Sequence, residues 1–499
     1  MEILQTGRSQ SKATVKSSVV CCLLLLMALV ACSKKNAPPT ASGISAVRPF
    51  HDLRELPGTI ADITLTGDTV RIDETTSRRI LKSVGSDGNI FLFDDSDPRI
   101  QNLHEGQILF LENIAVQKIL AVARKDRLII IGTDYASLTD FIQQGHLKWD
   151  APIQFDSLFA QAGEPRPSVP PEFLAWWIPR STVYAAGSQP SYSGKVDGWD
   201  TTIGITPGAN RLNLALRVSR SYQGMSVTVS SKGYLQDFLS SADIQVSPGN
   251  LDHFSYSAKN LNGEMKVEYA ATRGEGDAAG IDKPNIKLPP LAKIPMPIAG
   301  VPFTLTINAN LILKPGFGGK KEAASGSFRF TYSGDEGFQV KAGNPQSSGA
   351  IDGSGSFDHI TTESLAPHAI LIGMAAPKIT LSLGPGPAAD VLQQAFPSQL
   401  ADTMADFLAR TAAGKWAKKK IDSSFKTEAA ASVQTVAVGT MTAAGSLSMV
   451  PCKLTRLLLE FKGGADAYLL GIKGFDKEVV FAKKEFVTRE PDINACGDK

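Results

Sequence analysis

The residues of this chain that could do chemistry are few and scattered. Its histidines are His51, His104, His146, His253, His359 and His368. No two have the His-x-x-x-His spacing that sets two imidazoles on one helix face around zinc. There is no Gly-x-Ser-x-Gly elbow and no Walker loop, so neither that serine-hydrolase signature nor a phosphate cradle is present. Gly353-Ser354-Gly355-Ser356 stands just before His359 but reads as a flexible turn. Catalytic residues can be dispersed along a chain, so an enzyme on another pattern stays open. Asp94-Asp95-Ser96-Asp97 and Glu275-Gly276-Asp277 with Asp282 could offer oxygens to calcium. That ion takes about six to eight of them. Neither cluster has EF-hand spacing, and acids in such stretches serve as ordinary turn formers. No metal or cofactor is assigned; Asp94, Asp95 and Asp97 are the weak calcium candidates. Lys415-Trp416-Ala417-Lys418-Lys419-Lys420-Ile421 sets cations around one indole. Such a run can touch anionic headgroups, or it can be a solvated helix end with lysines against the dipole.

The thiols are Cys21, Cys22, Cys32, Cys452 and Cys496, and the N-terminal element decides the fate of three of them. Arg8, Lys12 and Lys16 against Glu2 precede the unbroken apolar run Val19–Val30. A helix of that length spans about 18 Å, short of the roughly 30 Å of a bilayer core. A basic start followed by such a run is the mark of an export signal, predicted here over residues 1–31. The run leads into Leu29-Val30-Ala31-Cys32, which resembles the lipobox of bacterial lipoproteins. The resemblance implies that the Cys32 thiol receives a diacylglycerol, that the signal is cut before Cys32, and that the new amino group is acylated, commonly by palmitate. Two or three acyl chains give stable anchoring where one does not. In the enterobacterial pattern an Asp after the cysteine retains the protein in the inner membrane; Ser33 stands there and favours the outer membrane. Residues 32–43 form a lipidated tether, small, polar and proline-containing. Cys452 and Cys496 are then left over, most simply as one disulfide in an exported chain. It would close a loop of about 45 residues, worth on the order of 4 kcal/mol by chain entropy. Two free thiols or a metal site are the alternatives.

The chain carries 51 basic and 49 acidic residues. Without residues 1–31 the balance is 48 to 48. No global basic field exists, which argues against nucleic acid as a partner.

The elements around these residues are mostly strands. Residues 44–160 read as a small β domain with a terminal helix. Asp62–Thr66 and Asp68–Ile72 alternate, and Ile80–Val84 and Ile90–Phe93 flank a hairpin signal at Asp87-Gly88. Ser137 is placed to cap a helix over Leu138–Gln144, ended by Gly145. Leu103-His104-Glu105-Gly106-Gln107-Ile108-Leu109, then Lys118-Ile119, then the Ser-led helix, resembles a small β module of other exported bacterial proteins. There the motif commonly reads Leu-x-x-Gly-Asp-x-Leu; Gln107 replaces the Asp. The resemblance implies no activity.

Residues 161–189 read as a Pro-rich linker, with Trp176-Trp177 as an aromatic plug or a binding surface. Residues 190–499 form a large β-rich domain. Leu212, Leu214, Leu216 and Val218 alternate with polar neighbours, as do Met265, Val267 and Tyr269, then Phe303, Leu305, Ile307, Ala309 and Leu311, then Phe328, Phe330 and Tyr332. Period two means sheets with one dry face, and two such faces must pack together. The expected class is therefore mainly β: antiparallel sandwich or barrel domains, with a helical segment near residues 388–421. The Pro-rich stretch 284–302 is an extended crossing segment that cannot be a central strand.

Three functions fit. The first is an exported, membrane-anchored lipoprotein with a non-enzymatic structural or surface-binding role, its partner an envelope protein. The second is a carrier of a lipid or other apolar ligand. The third is an envelope-polymer hydrolase. A transmembrane β-barrel fits less well, because aromatics are sparse for two girdles and the last residues are polar.

Overall fold

The short alternating runs of the sequence extend into strands of up to 24 residues. A computed structural model describes residues 53–155, 191–383, 430–466 and 476–490, apart from 86–88, 154, 209, 223, 237, 274–284, 289, 318–321, 342–343, 363–367 and 445–451. The architecture is mainly β, in antiparallel sheets, with one sheet curled into a half-barrel.

The first part runs β1 (Ile60–Leu65), β2 (Thr69–Ile72), α1 (Glu74–Ile80), β3 (Leu81–Val84), β4 (Ile90–Asp94), α2 (Pro98–Gln101), β5 (Ile108–Leu111), β6 (Ala115–Lys125), β7 (Leu128–Tyr135), α3 (Leu138–Phe141) and β8 (Ile142–Pro152). Strands β2-β5-β6-β7-β4-β3 form one sheet, with β2 and β5 parallel. β3 and β4 pair across the Asp87-Gly88 signal, with Val84 opposite Phe91. Both faces of this sheet are dry. Leu109 and Leu111 join Ile72, Phe91 and Phe93 in a core of its own, while Ile108 and Phe110 point into the larger core.

Two expectations change here. The helix over Leu138–Gln144 is a single turn, α3, with the Ser137 N–H and hydroxyl both donating to Asp140 at 2.8 and 2.7 Å. From Leu147 the apolar residues recur at period two, and Leu147, Trp149 and Ala151 are buried on one face of β8. Gly145 therefore sits inside a strand, opposite Ile63 of β1. β1 and β8 also leave the small domain: they pair with each other, and the other edge of β8 joins the large sheet.

The large sheet continues through β9 (Ser191–Val196), β10 (Trp199–Gly208), β11 (Arg211–Tyr222), β12 (Met225–Gln236), β13 (Leu239–Ser247) and β14 (Asn250–Arg273). The chain then crosses to a second sheet with β15 (Asn285–Lys287), β16 (Ala292–Ile298) and β17 (Val301–Phe317). It returns with β18 (Glu322–Lys341), β19 (Asn344–Ser347) and β20 (Ile351–Thr362). β21 (His368–Leu383), β22 (Ala430–Ala444), β23 (Cys452–Asp466) and β24 (Asp476–Glu490) complete the second sheet. The Pro-rich crossing is thus an edge: β15 and β16 lie along β17, with Pro295 and Pro297 where a missing N–H is tolerated.

β12 and β13 are two halves of one arm facing β14. Residues 225–235 pair with 273–263, and 239–247 with 259–250. Between them β14 bulges at Ala258–Leu261, where Asn260 takes φ 57° and its N–H donates to Asp335 at 2.8 Å. There the sheet forks. One wing is β12-β11-β10-β9, the other β13-β8-β1, and β18 follows the far edge of β14 past both.

The two large sheets share one apolar core. Leu212, Leu216, Val267, Phe328 and Phe330 of the first join Phe303, Leu305, Ile307, Leu457 and Phe461 of the second. Trp149 of β8 lies against Phe303 of β17, ring centroids 5.2 Å apart. Gly353-Ser354-Gly355-Ser356 is not a turn. It lies inside β20, and a Cβ on Gly353 would come within 2.6 Å of the Thr331 carbonyl and 3.0 Å of the Phe461 ring. The glycines let β23 approach closely, while Ser354 hydrogen-bonds Thr331 on the outer face at 2.7 Å. At the adjoining rim Lys484 of β24 pairs with Asp352 of β20.

Candidate functional site

Register places a polar group inside this core. Across β8, β13, β14 and β18, Trp149, Ala242, Tyr256 and Phe338 stand side by side. The next row on the same face is Ala151, Ser240, Ala258 and Glu336. Trp149, Ser240, Tyr256 and Glu336 are all buried, the last three completely. Diagonal neighbours in such rows have their backbones about 7–8 Å apart, within reach of long side chains. Glu336 and Ser240 are both diagonal to Tyr256. Tyr332 lies on the same face, four residues before Glu336, with its ring over Gly263.

The electrostatics follow from that burial. Desolvation pushes the Tyr256 hydroxyl far above its ordinary value, and the Glu336 charge pushes it further; Ser240 offsets part of the rise. Ser240 faces Tyr256, yet the two do not reach hydrogen-bond geometry. Desolvation, then Glu336, raises Tyr332 in the same way. Both phenols therefore stay protonated and keep a proton to donate. The Tyr256 hydroxyl, the Ser240 hydroxyl and the Trp149 indole N–H make no hydrogen bond among the described residues. A buried polar group without a partner costs about 1–3 kcal/mol. These donors and one carboxyl group occupy two neighbouring rows at the fork of the sheet.

A second group lies on the outer face. His146 Nε2 meets Asp243 Oδ1 at 3.0 Å, with Lys148 Nζ at 3.6 Å and Gln245 Nε2 at 3.2 Å. Burial raises the Asp243 carboxyl, but hydrogen bonds from Gln245 and His146 outweigh it and hold it below the usual range. Gln245 separates His146 from His253 in the same row.

The calcium candidates are drawn to separate partners. Asp94 pairs with Lys82 at 2.6 Å, and Asp95 lies 3.7 Å from Arg127. Asp97 caps α2 and accepts from the Arg99 backbone and side chain at 2.9–3.0 Å. Among the described residues no group of three His, Cys, Asp or Glu side chains could hold a metal ion. Cys452 opens β23. Cys32, Cys496, Glu275, Asp277, Asp282, Trp176, Trp177, the stretch 388–421 and, within it, Lys415, Trp416, Lys418, Lys419 and Lys420 lie outside the described residues. No described helix is long and apolar enough to cross a membrane.

Glu336 was not among the candidates from sequence, although a signal for it exists. Phe328, Phe330, Tyr332, Phe338 and Val340 mark the apolar phase of β18, and Glu336 is the one acid on that phase between Phe328 and Val340. Ser333-Gly334-Asp335-Glu336-Gly337 has turn composition, which disguises a continuous strand.

Residues 185–389 match the family model of a domain of unknown function (DUF8402), and residues 55–144 match a second domain of unknown function (DUF8403). The first match spans Ser240, Tyr256, Tyr332 and Glu336; the second covers most of the small β domain. No curated protein and no solved structure matches the chain.

Proposed function

We propose that this chain is an exported lipoprotein, held to the envelope through Cys32, whose two-sheet body binds an amphiphilic ligand without catalysis. The observation that carries the ligand reading is the burial of Tyr256, Ser240 and Trp149, donors with no hydrogen-bond partner among the described residues, with Glu336 in the neighbouring row. Apolar pockets with a few convergent polar groups are the usual form of small-molecule sites. The ligand's apolar part lies between the sheets and its polar head meets Tyr256, Ser240 and Glu336.

Purification of the full-length protein from its native cells, followed by native mass spectrometry and lipid extraction, tests this. An amphiphile in stoichiometric amount is expected, and its loss from a Tyr256→Phe, Glu336→Gln variant. A protein that carries nothing overturns the reading. The anchor is tested separately. Cys32→Ser should abolish lipid labelling and release the protein from membranes; a labelled, membrane-bound variant refutes it.

A second reading, a rigid envelope scaffold, is favoured by the glycine-mediated contact of β20 with β23. That contact leaves no room between the sheets at Gly353 and Gly355. The ligand is therefore assigned to the β8–β13–β14 side.

A further inference from the structure

The outer face of the wing β9–β12, with β14, β18 and β20, presents a different chemistry. Lys232, Lys266 and Arg329 are direct neighbours in one row across β12, β14 and β18. Like charges directly opposite destabilise a sheet. Lys266 is relieved by Glu268 at 3.0 Å and Arg329 by Glu264 at 3.1 Å. Lys232 has no ion pair among the described residues, and neither has Arg217, one row away on β11. Arg217 lines a shallow outer depression of about 230 Å³ with Ser193, Lys195, Asp200, Thr202 and Ser219. Lys195 and Asp200 are 3.9 Å apart, so the one acid at this depression is already matched. The rest of the face adds hydroxyls and amides, Asn213, Ser230, Thr331, Ser354 and Ser356, with Arg211 over the Tyr234 ring and, at the edge, Asp352 already paired with Lys484.

We infer that this face binds an acidic polysaccharide. One carboxylate of the polymer sits in the depression on Arg217, whose fork suits bidentate pairing. Further carboxylates run along Lys232, Lys266 and Arg329, spaced by the strand separation of about 4.8 Å. The serine, threonine and asparagine side chains pair with sugar hydroxyls. A membrane surface fits less well, because surface binding usually inserts apolar side chains. The exposed large hydrophobics of the described residues, Ile60, Val480 and Val487, stand on β1 and β24 instead.

The test uses the full chain as its Cys32→Ser variant, which needs no detergent, and three probes: polygalacturonate, uncharged dextran, and phosphatidylglycerol vesicles. Titration should show polygalacturonate binding that weakens as salt rises, with none to dextran. Arg217→Gln with Lys232→Gln should weaken it by about tenfold or more. Both residues point outward, and a circular dichroism spectrum matching the parent shows that the variant is folded. Absence of polygalacturonate binding, binding indifferent to salt, equal binding by the folded variant, or capture of vesicles alone each overturns the inference.

Discussion

A hydroxyl buried without a partner is a liability to the fold, and Ser240 is such a residue. Removing it exchanges no hydrogen bond for a methyl group. Ser240→Ala should therefore leave stability unchanged or raise it by about 1 kcal/mol, read by chemical denaturation, while reducing bound amphiphile. Destabilisation would mean that the hydroxyl is satisfied in the fold. Asp97 behaves in the opposite way. Hydrogen bonds from the Arg99 side chain, working against partial burial, hold its carboxyl below the usual range. A carboxyl lowered by folding stabilises fully above its unfolded value of about 4, and that stability is lost as pH falls through the lowered folded value. Asp97→Ala should cost about 1 kcal/mol at neutral pH as a lost helix cap. In paired denaturation curves the cost should shrink below pH 4. Residue identity alone announced neither case. Asp97 read as one of several turn acids, and Ser240 became visible only when register set it beside Tyr256.

At the level of elements, alternation was the readable signal. The runs at Leu212–Val218, Phe303–Leu311 and Phe328–Tyr332 became β11, β17 and β18 with their apolar phase inward. The small domain's hairpin was also legible from Asp87-Gly88. Local composition misled where tertiary contact decides conformation. Gly353 and Gly355 suggested freedom, yet they are small because Leu457, Leu459 and Phe461 press against them. Gly353→Ala should accordingly destabilise by about 1–3 kcal/mol through overpacking, measured by thermal melting. A neutral result would show that β20 and β23 are less closely packed. The helix after Ser137 failed for a similar reason. Its cap is real, but the next residues are claimed by β1 and the large sheet.

For the whole molecule, composition indicated a two-faced β protein, but not which strand meets which. β8 and β13 are separated by some 90 positions and β14 and β18 by about 70. No local pattern encodes such partners. Trp149 joins the two large sheets through Phe303, so Trp149→Ala should cost about 3–5 kcal/mol and loosen both together. A loss confined to one sheet, seen by hydrogen exchange, would argue against a shared core. The outer faces carry Arg211, Asn213, Arg217 and Lys232, the reverse of a barrel that meets lipid with its outside.

The fork at β14 also sets an order of assembly. A chain emerging N-terminus first can complete the six-stranded sheet of the small domain by Tyr135. The β1–β8 pair must then wait, with one edge bare, until residues up to Ser247 have followed. A bare strand edge is a template for pairing with other chains. A chain built this way needs protection during that interval. A fragment ending before Leu239 should aggregate, whereas one ending after Arg273 should have that edge covered.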